Sequence, residues 1–444
     1  MFLSNIRHSA TYRRRPAGIV NLNASSLNRN MQALPVVVIG AGIVGVSAAV
    51  WLQREGHDVT LIDRGEPGEG TSYGNGGVLA SCGIVPVTVP GLLGKAPRML
   101  LDPRQPLFVK WRHLPKLAPW LGRYLGHCTP EKTRRAADAL FALTGDSLAD
   151  HQALAEGTGA EAFVRPCDYL YAYRERAGFE ADAFGWLIRR EHGFRWEELD
   201  GGALRRHDPL IHPHMNFAVR LGGHGRITDP ARHVKALARH VEARGGRILR
   251  AEVSDIVRRD GQVVGVRAAG QTIDCSVAIV TAGVWSGALA KRLGLAVPLE
   301  SERGYHIDLH APNQMPTSPV MFASSKFVAT PMDGRVRLAG IVEFGGLDAP
   351  PSRAPFNLLM RNIRAAMPDL SWRETTEWMG HRPATTDSIP VIGAVPGIAG
   401  AWLGFGHHHI GLTAGPRTGW LLAQLVSGRR PNIDLAPYSP SRFQ

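Results

Sequence analysis

Four cysteines in 444 residues, Cys82, Cys128, Cys167 and Cys275, lie far apart and form no CxxC pair. That scarcity gives no sign of a disulfide framework or a zinc site, and it suits a reducing cytoplasm. Apolar runs of about 18 residues are also missing, so a membrane-spanning helix is not expected. Acidic residues are absent from the first 34 positions, which hold five arginines, Arg7, Arg13, Arg14, Arg15 and Arg29. Setting these aside lowers the net charge from +13 to +8, with 46 basic against 38 acidic residues. An excess this modest and this spread out does not call for a nucleic-acid partner. The stretch 1–34 has no apolar core for secretion. Rich in Ser, Asn and Arg, it reads as a disordered leader, either an upstream extension before Met31 or a transit peptide.

Apolar residues at 44% and charged ones at 20% give the balance of a folded globular chain. The length accommodates two interleaved domains of about 150 to 250 residues. From Pro35 the pattern is strand, glycine loop, helix, strand: Val36 to Ile39 is a buried apolar run, Val44 to Gln53 is helical, and Val59 to Ile62 is a second run. Helical periodicity returns at Ala136 to Ala155, Ala181 to Glu191 and Pro230 to Ala243. Strands at Glu252 to Arg258, Val263 to Ala268 and Thr272 to Cys275 are separated by Asp260-Gly261 and Ala269-Gly270, the turn chemistry of a meander. Glycine motifs near both ends of the chain imply a discontinuous cofactor domain (35–85, 206–296 and 376–444), with a substrate domain inserted as 86–205 and 297–375. The expected fold class is therefore α/β: a Rossmann-like domain interleaved with an α+β domain built on an antiparallel sheet.

Gly40, Gly42 and Gly45 carry the spacing of a dinucleotide loop. The first glycine permits the tight turn, the second lets backbone approach the pyrophosphate, and the third brings helix against strand. The helix they open, starting at Ile43 and Val44, points its amides and positive dipole end at the phosphates. Asp63 ends the second strand 18 residues after Gly45, where a carboxylate accepts hydrogen bonds from ribose hydroxyls, with Arg64 beside it. This unit alone leaves NAD and FAD open.

Beyond it lie Thr71, Ser72, Asn75, Gly76 and Gly77 in a Gly-rich stretch, then Ala282-Gly283-Val284-Trp285, Gly380-His381-Arg382-Pro383 with Asp387 to Gly393, and Gly406-His407 through Gly411-Leu412-Thr413. In this order the segments resemble the D-amino-acid oxidase and dehydrogenase superfamily of flavoproteins, over residues 35 to about 443. Within it the chain looks most similar to bacterial D-amino-acid dehydrogenases, through Pro106 to Val109, Arg303-Gly304-Tyr305 and Gly340 to Phe344.

The resemblance implies FAD as cofactor. It implies flavin contacts from Thr71 to Gly77, an adenine contact at Val253, and helix amides at Gly411, Leu412 and Thr413 facing the flavin. Arg382 is implied as the carboxylate anchor, with Tyr305 and His409 as further catalytic candidates and His306 a weaker one. The implied reaction is oxidative deamination of D-amino acids, or oxidation of D-proline or D-hydroxyproline, with electrons passed to a quinone or carrier. A glycine or sarcosine oxidase using oxygen, or a flavin-carrying subunit of a larger complex, are the alternatives. Three consecutive side chains, His407 to His409, cannot converge on one ion, so no metal is expected. From Pro103 to Pro130 there is no acid, while Arg104, Lys110, Arg112, Lys116 and Arg123 interleave with Trp111 and Trp120. That stretch reads as a basic solvated surface or as a peripheral contact on the inner face of a membrane, with Pro115 and Pro119 expected to interrupt any long helix.

Overall fold

The computed structural model describes residues 34–92, 94 and 106–444. The expected leader 1–34, Leu34 apart, and Pro103 and Arg104 of the basic stretch lie outside the described residues.

Two large sheets and a three-stranded meander carry the chain. The first has six strands in the order Val391–Ala394, Ala401–Phe405, Val277–Val280, Pro35–Ile39, Asp58–Asp63, Arg247–Arg250. All neighbouring pairs are parallel except the edge strand Val391–Ala394, which runs antiparallel to Ala401–Phe405. Pro35–Ile39 is a short apolar run because both of its faces are covered. Val36 and Val38 meet the helices Ile43–Arg54 and Gly411–Val426, while Val37 and Ile39 meet the meander Val253–Arg259, Gln262–Ala268, Gln271–Asp274. The meander turns at Asp260-Gly261 and Ala269-Gly270 with all four residues at positive φ (51°, 75°, 49° and 77°), the geometry of a tight hairpin turn.

The second sheet is larger and runs Glu374–Thr385, Leu299–His310, Arg335–Phe344, Phe327–Met332, Val320–Phe322, Val164–Tyr173, Phe217–Ile227, Val78–Leu79. It is mostly antiparallel rather than wholly so. Val320–Phe322 runs parallel to Val164–Tyr173, and Leu107–Val109 runs parallel to Arg335–Phe344. Phe217–Ile227 lies in this sheet although it falls within the stretch 206–296 read as cofactor domain, and Glu374–Thr385 does the same at the start of 376–444. Apolar runs reveal a strand but not its sheet, and these two carry the chain from one layer to the other.

Periodicity located the helices more closely than their ends. Ala136 to Ala155 is two helices, Pro130–Thr144 and Ser147–Ala155, and Ala181 to Glu191 spans the junction of Arg176–Ala181 and Ala183–Glu191. Leu114–Leu125 is helical with Pro119 inside it, contrary to the interruption expected there. Pro115 falls in the first turn, where a missing N–H costs nothing. The later break in the ladder is offset by packing: Leu117, Trp120 and Tyr124 bury one face, and the Trp120 indole donates to the Ala384 carbonyl at 3.3 Å. No helix among the described residues is long and apolar enough to cross a membrane.

Between the helical layer and the large sheet sit two fully buried histidines. His151 donates from Nε2 to the Leu412 carbonyl at 2.8 Å and faces His233 across 3.3 Å. Burial holds His151 down to about 3 and His233 to about 4. Both are therefore neutral in the folded chain at pH values where the unfolded chain, titrating near 6.5, already binds protons. Stability falls as pH drops from about 6.5 toward 4, by about 1.4 kcal/mol per pH unit for each such histidine. Urea unfolding at pH 7 and pH 5 checks this, and equal midpoints would refute it.

Candidate functional site

The chain leaves Pro35–Ile39 through Gly40, whose φ of +109° aims the following peptides into the helix Ile43–Arg54. Nothing larger fits: a Cβ on Gly40 would lie 2.6 Å from the Thr281 carbonyl oxygen, and one on Gly45 would lie 1.9 Å from the Gly40 carbonyl oxygen. Gly42 differs. Its Cβ would meet only Ser72 Oγ, at 3.3 Å, so the space in front of it is open. Asp63 accepts from the Ala41 amide (2.7 Å) and the Gly65 amide (2.9 Å), and Ser72 Oγ accepts from the Ile43 amide (2.9 Å), tying three loops together.

A cavity of about 420 Å³ opens here. Of the residues read from sequence as cofactor contacts, Gly40, Gly42, Ile43, Val44, Asp63, Arg64, Thr71, Ser72, Asn75, Val253, Ala282, Gly283, Trp285, Gly411 and Leu412 line it. The cavity crosses the carboxyl ends of five adjacent parallel strands, from the side of Ala401–Phe405 to that of Arg247–Arg250. At about 4.8 Å per strand that is about 19 Å, room for an extended dinucleotide in the crevice such sheets offer. Arg64 lies over the Trp285 ring at 3.8 Å, which holds a cation in the cavity wall.

Four expected contacts do not line it. Gly45 packs helix on strand, as its spacing required. Gly77, at φ +74°, has its amide bonded to Asn75 Oδ1 (2.9 Å) and serves the turn, and Gly76 packs near Val328. Thr413 directs its hydroxyl to the Val78 carbonyl at 3.4 Å.

The loop 71–77 is held from below by a side chain that sequence reading passed over. Arg337, fully buried, grips Asp308 with two bonds (2.7 and 2.8 Å) and donates from its remaining nitrogen to the carbonyls of Tyr73 (2.6 Å) and Asn75 (2.9 Å). Burial alone would raise the Asp308 carboxyl, yet Arg337 holds it below the usual range. The alternation Arg335-Val336-Arg337-Leu338 signalled a strand, but nothing in it signalled that one arginine faces inward.

Beside the loop, Leu299–His310 and Glu374–Thr385 pair antiparallel, with Glu302 opposite Arg382, Gly304 opposite Gly380 and His306 opposite Trp378. These share one face. The Arg382 guanidinium lies across Gly304, where a Cβ would come within 2.6 Å of its Nε. Among the described residues it has neither a hydrogen-bond partner nor an ion pair, and Glu302 is the anion that acts on it electrostatically. The Trp378 ring covers both Gly74 and Gly380 and stacks on His306, with centroids 5.1 Å apart. Burial, then Arg337, holds His306 down to about 3, and its neutral Nδ1–H donates to the Gly74 carbonyl at 3.1 Å.

Tyr305 does not join this face. Strand alternation turns it to the opposite side, 1% exposed, where its hydroxyl donates to Glu343 (2.6 Å) and its ring packs edge-on against Phe356. Burial and Glu343 raise it to about 12, and it serves the core beneath the helix Arg353–Ala366. The three histidines separate as expected for consecutive residues. His407 lines the cavity and pairs with Thr418 Oγ1 at 3.0 Å, His408 lines it and is buried, and His409 is reached by solvent. Desolvation, followed by Arg382, holds the His409 ring down to about 4, so it is neutral at physiological pH.

Comparison with known proteins gives a consistent picture. The model of the FAD-dependent oxidoreductase family, DAO, matches residues 35–425. A D-amino-acid oxidase of Bradyrhizobium diazoefficiens is 38% identical over 92% of this chain and 98% of that protein. A D-amino acid dehydrogenase of Xanthobacter autotrophicus is 31% identical over 92% and 99%. The crystal structure of glycine oxidase from Geobacillus kaustophilus superposes with a TM-score of 0.72 at 21% identity, covering 93% of this chain and 99% of that one, a likeness of fold.

The glycines separate two effects of substitution. Gly42→Val should fold, melting like the parent stripped of its flavin, yet purify colourless, because its side chain projects into the open cavity. Gly45→Ala should fail to give soluble protein, since its Cβ has nowhere to go. Absorbance near 450 nm alongside thermal melts tests both, and yellow Gly42→Val would refute the first.

Proposed function

The chain belongs to the DAO family of FAD-dependent oxidoreductases, and on that premise we propose that it oxidises D-amino acids, converting primary amines to a 2-oxo acid and ammonia, or a D-proline-type substrate to a cyclic imine. The observation that carries the reading is Arg382, an unpartnered guanidinium laid flat across Gly304 on the face that adjoins the cavity. A planar fork with free donors suits a carboxylate held by both oxygens.

FAD, when bound, supplies a hydride acceptor at N5; the protein's task is to position the substrate. Arg382 fixes the carboxylate and with it the direction of the α-C–H bond. The neutral ring of His409, influenced by Arg382 and Glu302, is a hydrogen-bond acceptor for the substrate amine. The stack of half-buried Tyr73 and Trp378 on buried His306 gives the face an aromatic border that limits access of water. Gly411 and Leu412 at the start of the helix Gly411–Val426 bring its positive end to the cavity, where negative charge on reduced flavin is favoured.

The electron acceptor in this reading is a quinone or a carrier. The two relatives differ on this point by name, one an oxidase and the other a dehydrogenase. The basic surface bears on it: Trp111, 61% exposed, shares the stretch 111–125 with exposed Arg112, Lys116 and Arg123, a composition suited to the anionic inner face of a membrane and a cytoplasmic enzyme. The second reading, an oxidase of the glycine or sarcosine type, predicts peroxide in air at a rate matching dye reduction. A flavin-carrying subunit needing a partner predicts no bleaching by substrate alone.

Anaerobic mixing of the purified chain with D-amino acids, their L-enantiomers and both hydroxyproline epimers should bleach the flavin with D-substrates selectively. Preference for L-substrates would overturn the proposal. Arg382→Ala should raise KM for D-amino acids by about 10- to 100-fold, the worth of a charge-assisted hydrogen-bonded pair, with the flavin spectrum intact. Unaltered KM would remove Arg382 from the site.

A further inference from the structure

Buried carboxylates in this fold have partners. Asp208, Asp229, Asp308, Glu343 and Asp387 each accept at least one hydrogen bond of 3.1 Å or shorter. Glu302 is different. It is 3% exposed, and among the described residues its carboxylate accepts no hydrogen bond; its contact with His408 Nδ1, at 3.8 Å, is too long for one. Burial raises its carboxyl, yet His408, Arg382 and His409 together hold it below the usual carboxylate range. A buried anion without hydrogen bonds is costly, and a ligand that supplies the missing donors removes the cost.

Directly across the strand pair stands the other unpartnered charge of this face. Arg382 is the cross-strand partner of Glu302, and side chains at such positions start about 5 Å apart. They do not close on each other. The guanidinium runs along the neighbouring strand and lies over Gly304, where the missing Cβ leaves room for its Nε, Cζ and Nη2. An arginine and a carboxylate within reach of each other are thus held apart, each with free hydrogen-bonding capacity. A ligand that satisfies both must carry an anion and a cation a few ångströms from each other, which is the zwitterion of an α-amino acid. His408, in contact with Glu302, lines the cofactor cavity, so the acid lies one side chain away from the flavin site.

We propose that Glu302 receives the amino group of the substrate while Arg382 holds its carboxylate, an assignment that rests on the amino-acid reading above and deepens it. The ammonium form binds, gives one proton to solvent and reacts as the amine. Glu302 accepts one N–H and the neutral His409 ring another, and two acceptors leave the nitrogen lone pair free, where a donor would occupy it. The α-C–H bond then breaks, its electron pair passes as hydride to flavin N5, and the lone pair closes the C=N bond. Glu302 neither gains nor loses a proton. With the carboxylate and the amine fixed and the α-hydrogen directed at the flavin, the substrate side chain has a single place to go, which is the condition for choosing one enantiomer. A carboxylate that lacks the amine meets the repulsion of Glu302 with nothing to offset it.

Titration calorimetry of the FAD-loaded protein with 2-aminoisobutyrate and 2,2-dimethylpropanoate tests this. The second ligand is the first with methyl in place of ammonium. Neither has an α-hydrogen, so neither is oxidised, and both are achiral, so handedness does not enter. The parent should bind the amino ligand about ten-fold or more tighter, the worth of a hydrogen bond to a charged group. Glu302→Gln, close in shape to the parent, should weaken the amino ligand by about 10- to 100-fold and leave 2,2-dimethylpropanoate bound as tightly or more tightly, because the anion beside Arg382 is gone. Arg382→Ala should weaken both. Equal affinities in the parent, a measurement that needs no variant to fold, overturn the assignment, and so does a loss in Glu302→Gln shared by both ligands. Flavin bleaching by L- rather than D-amino acids, with the opposed shifts intact, overturns the D-amino-acid reading alone.

Discussion

Backbone touching backbone at Gly40 is the constraint on which the rest depends. The turn there passes so close to Thr281 and Gly45 that two segments, with Ile39 and Thr281 242 residues apart, meet almost backbone on backbone. Thr281 closes the arrangement by bonding through its amide to the Ile39 carbonyl at 2.8 Å and through its hydroxyl to the same oxygen at 2.9 Å. The carboxyl ends of the two central strands and the head of the first helix are thereby fixed together. Everything that lines the cavity is placed relative to that junction.

Charge is distributed to match. Beneath the loop 71–77 a buried arginine and carboxylate neutralise each other while the arginine's spare donors hold two carbonyls. Pairing of this kind turns the large desolvation cost of a buried ion into positional order. On the next strand pair the balance is looser: Arg382 lies opposite the buried carboxylate of Glu302 and makes no ion pair with it. Tyr305 and Arg303, on the opposite face of the same strand, are closed off with Glu343 in the core.

Much of this could be read from the chain, and the parts that could not share a physical reason. Glycine spacing, strand before and helix after located the cavity, since those residues are dictated by backbone geometry that only glycine allows. Arg382 was named through the resemblance of its Gly-His-Arg-Pro motif, and its role is the one proposed above. Tyr305 was misplaced because an alternating strand names two faces without saying which one meets the cavity. Arg337, Asp308 and Glu302 were missed altogether, for a buried charge is indistinguishable in sequence from a solvated one until its partner, 29 residues away for Arg337 and Asp308, is brought opposite. Leu114–Leu125 was misjudged from its prolines because the packing of Trp120 and Tyr124 outweighs a local preference.

The two helices that reach the cavity also touch each other. Gly415 and Gly419 of Gly411–Val426 bring it against Ile43–Arg54, and a Cβ on Gly419 would lie 2.5 Å from the Ala48 amide nitrogen. Packed this closely, with Ile43 and Ser47 against the two glycines, the helix heads hold one relative position. The span from the amides at Ile43 and Val44 to those at Gly411 and Leu412, all of which line the cavity, is therefore a gauge of one length. A cofactor must match that length along its whole extent, so a truncated flavin mononucleotide could satisfy one helix head only by abandoning the other.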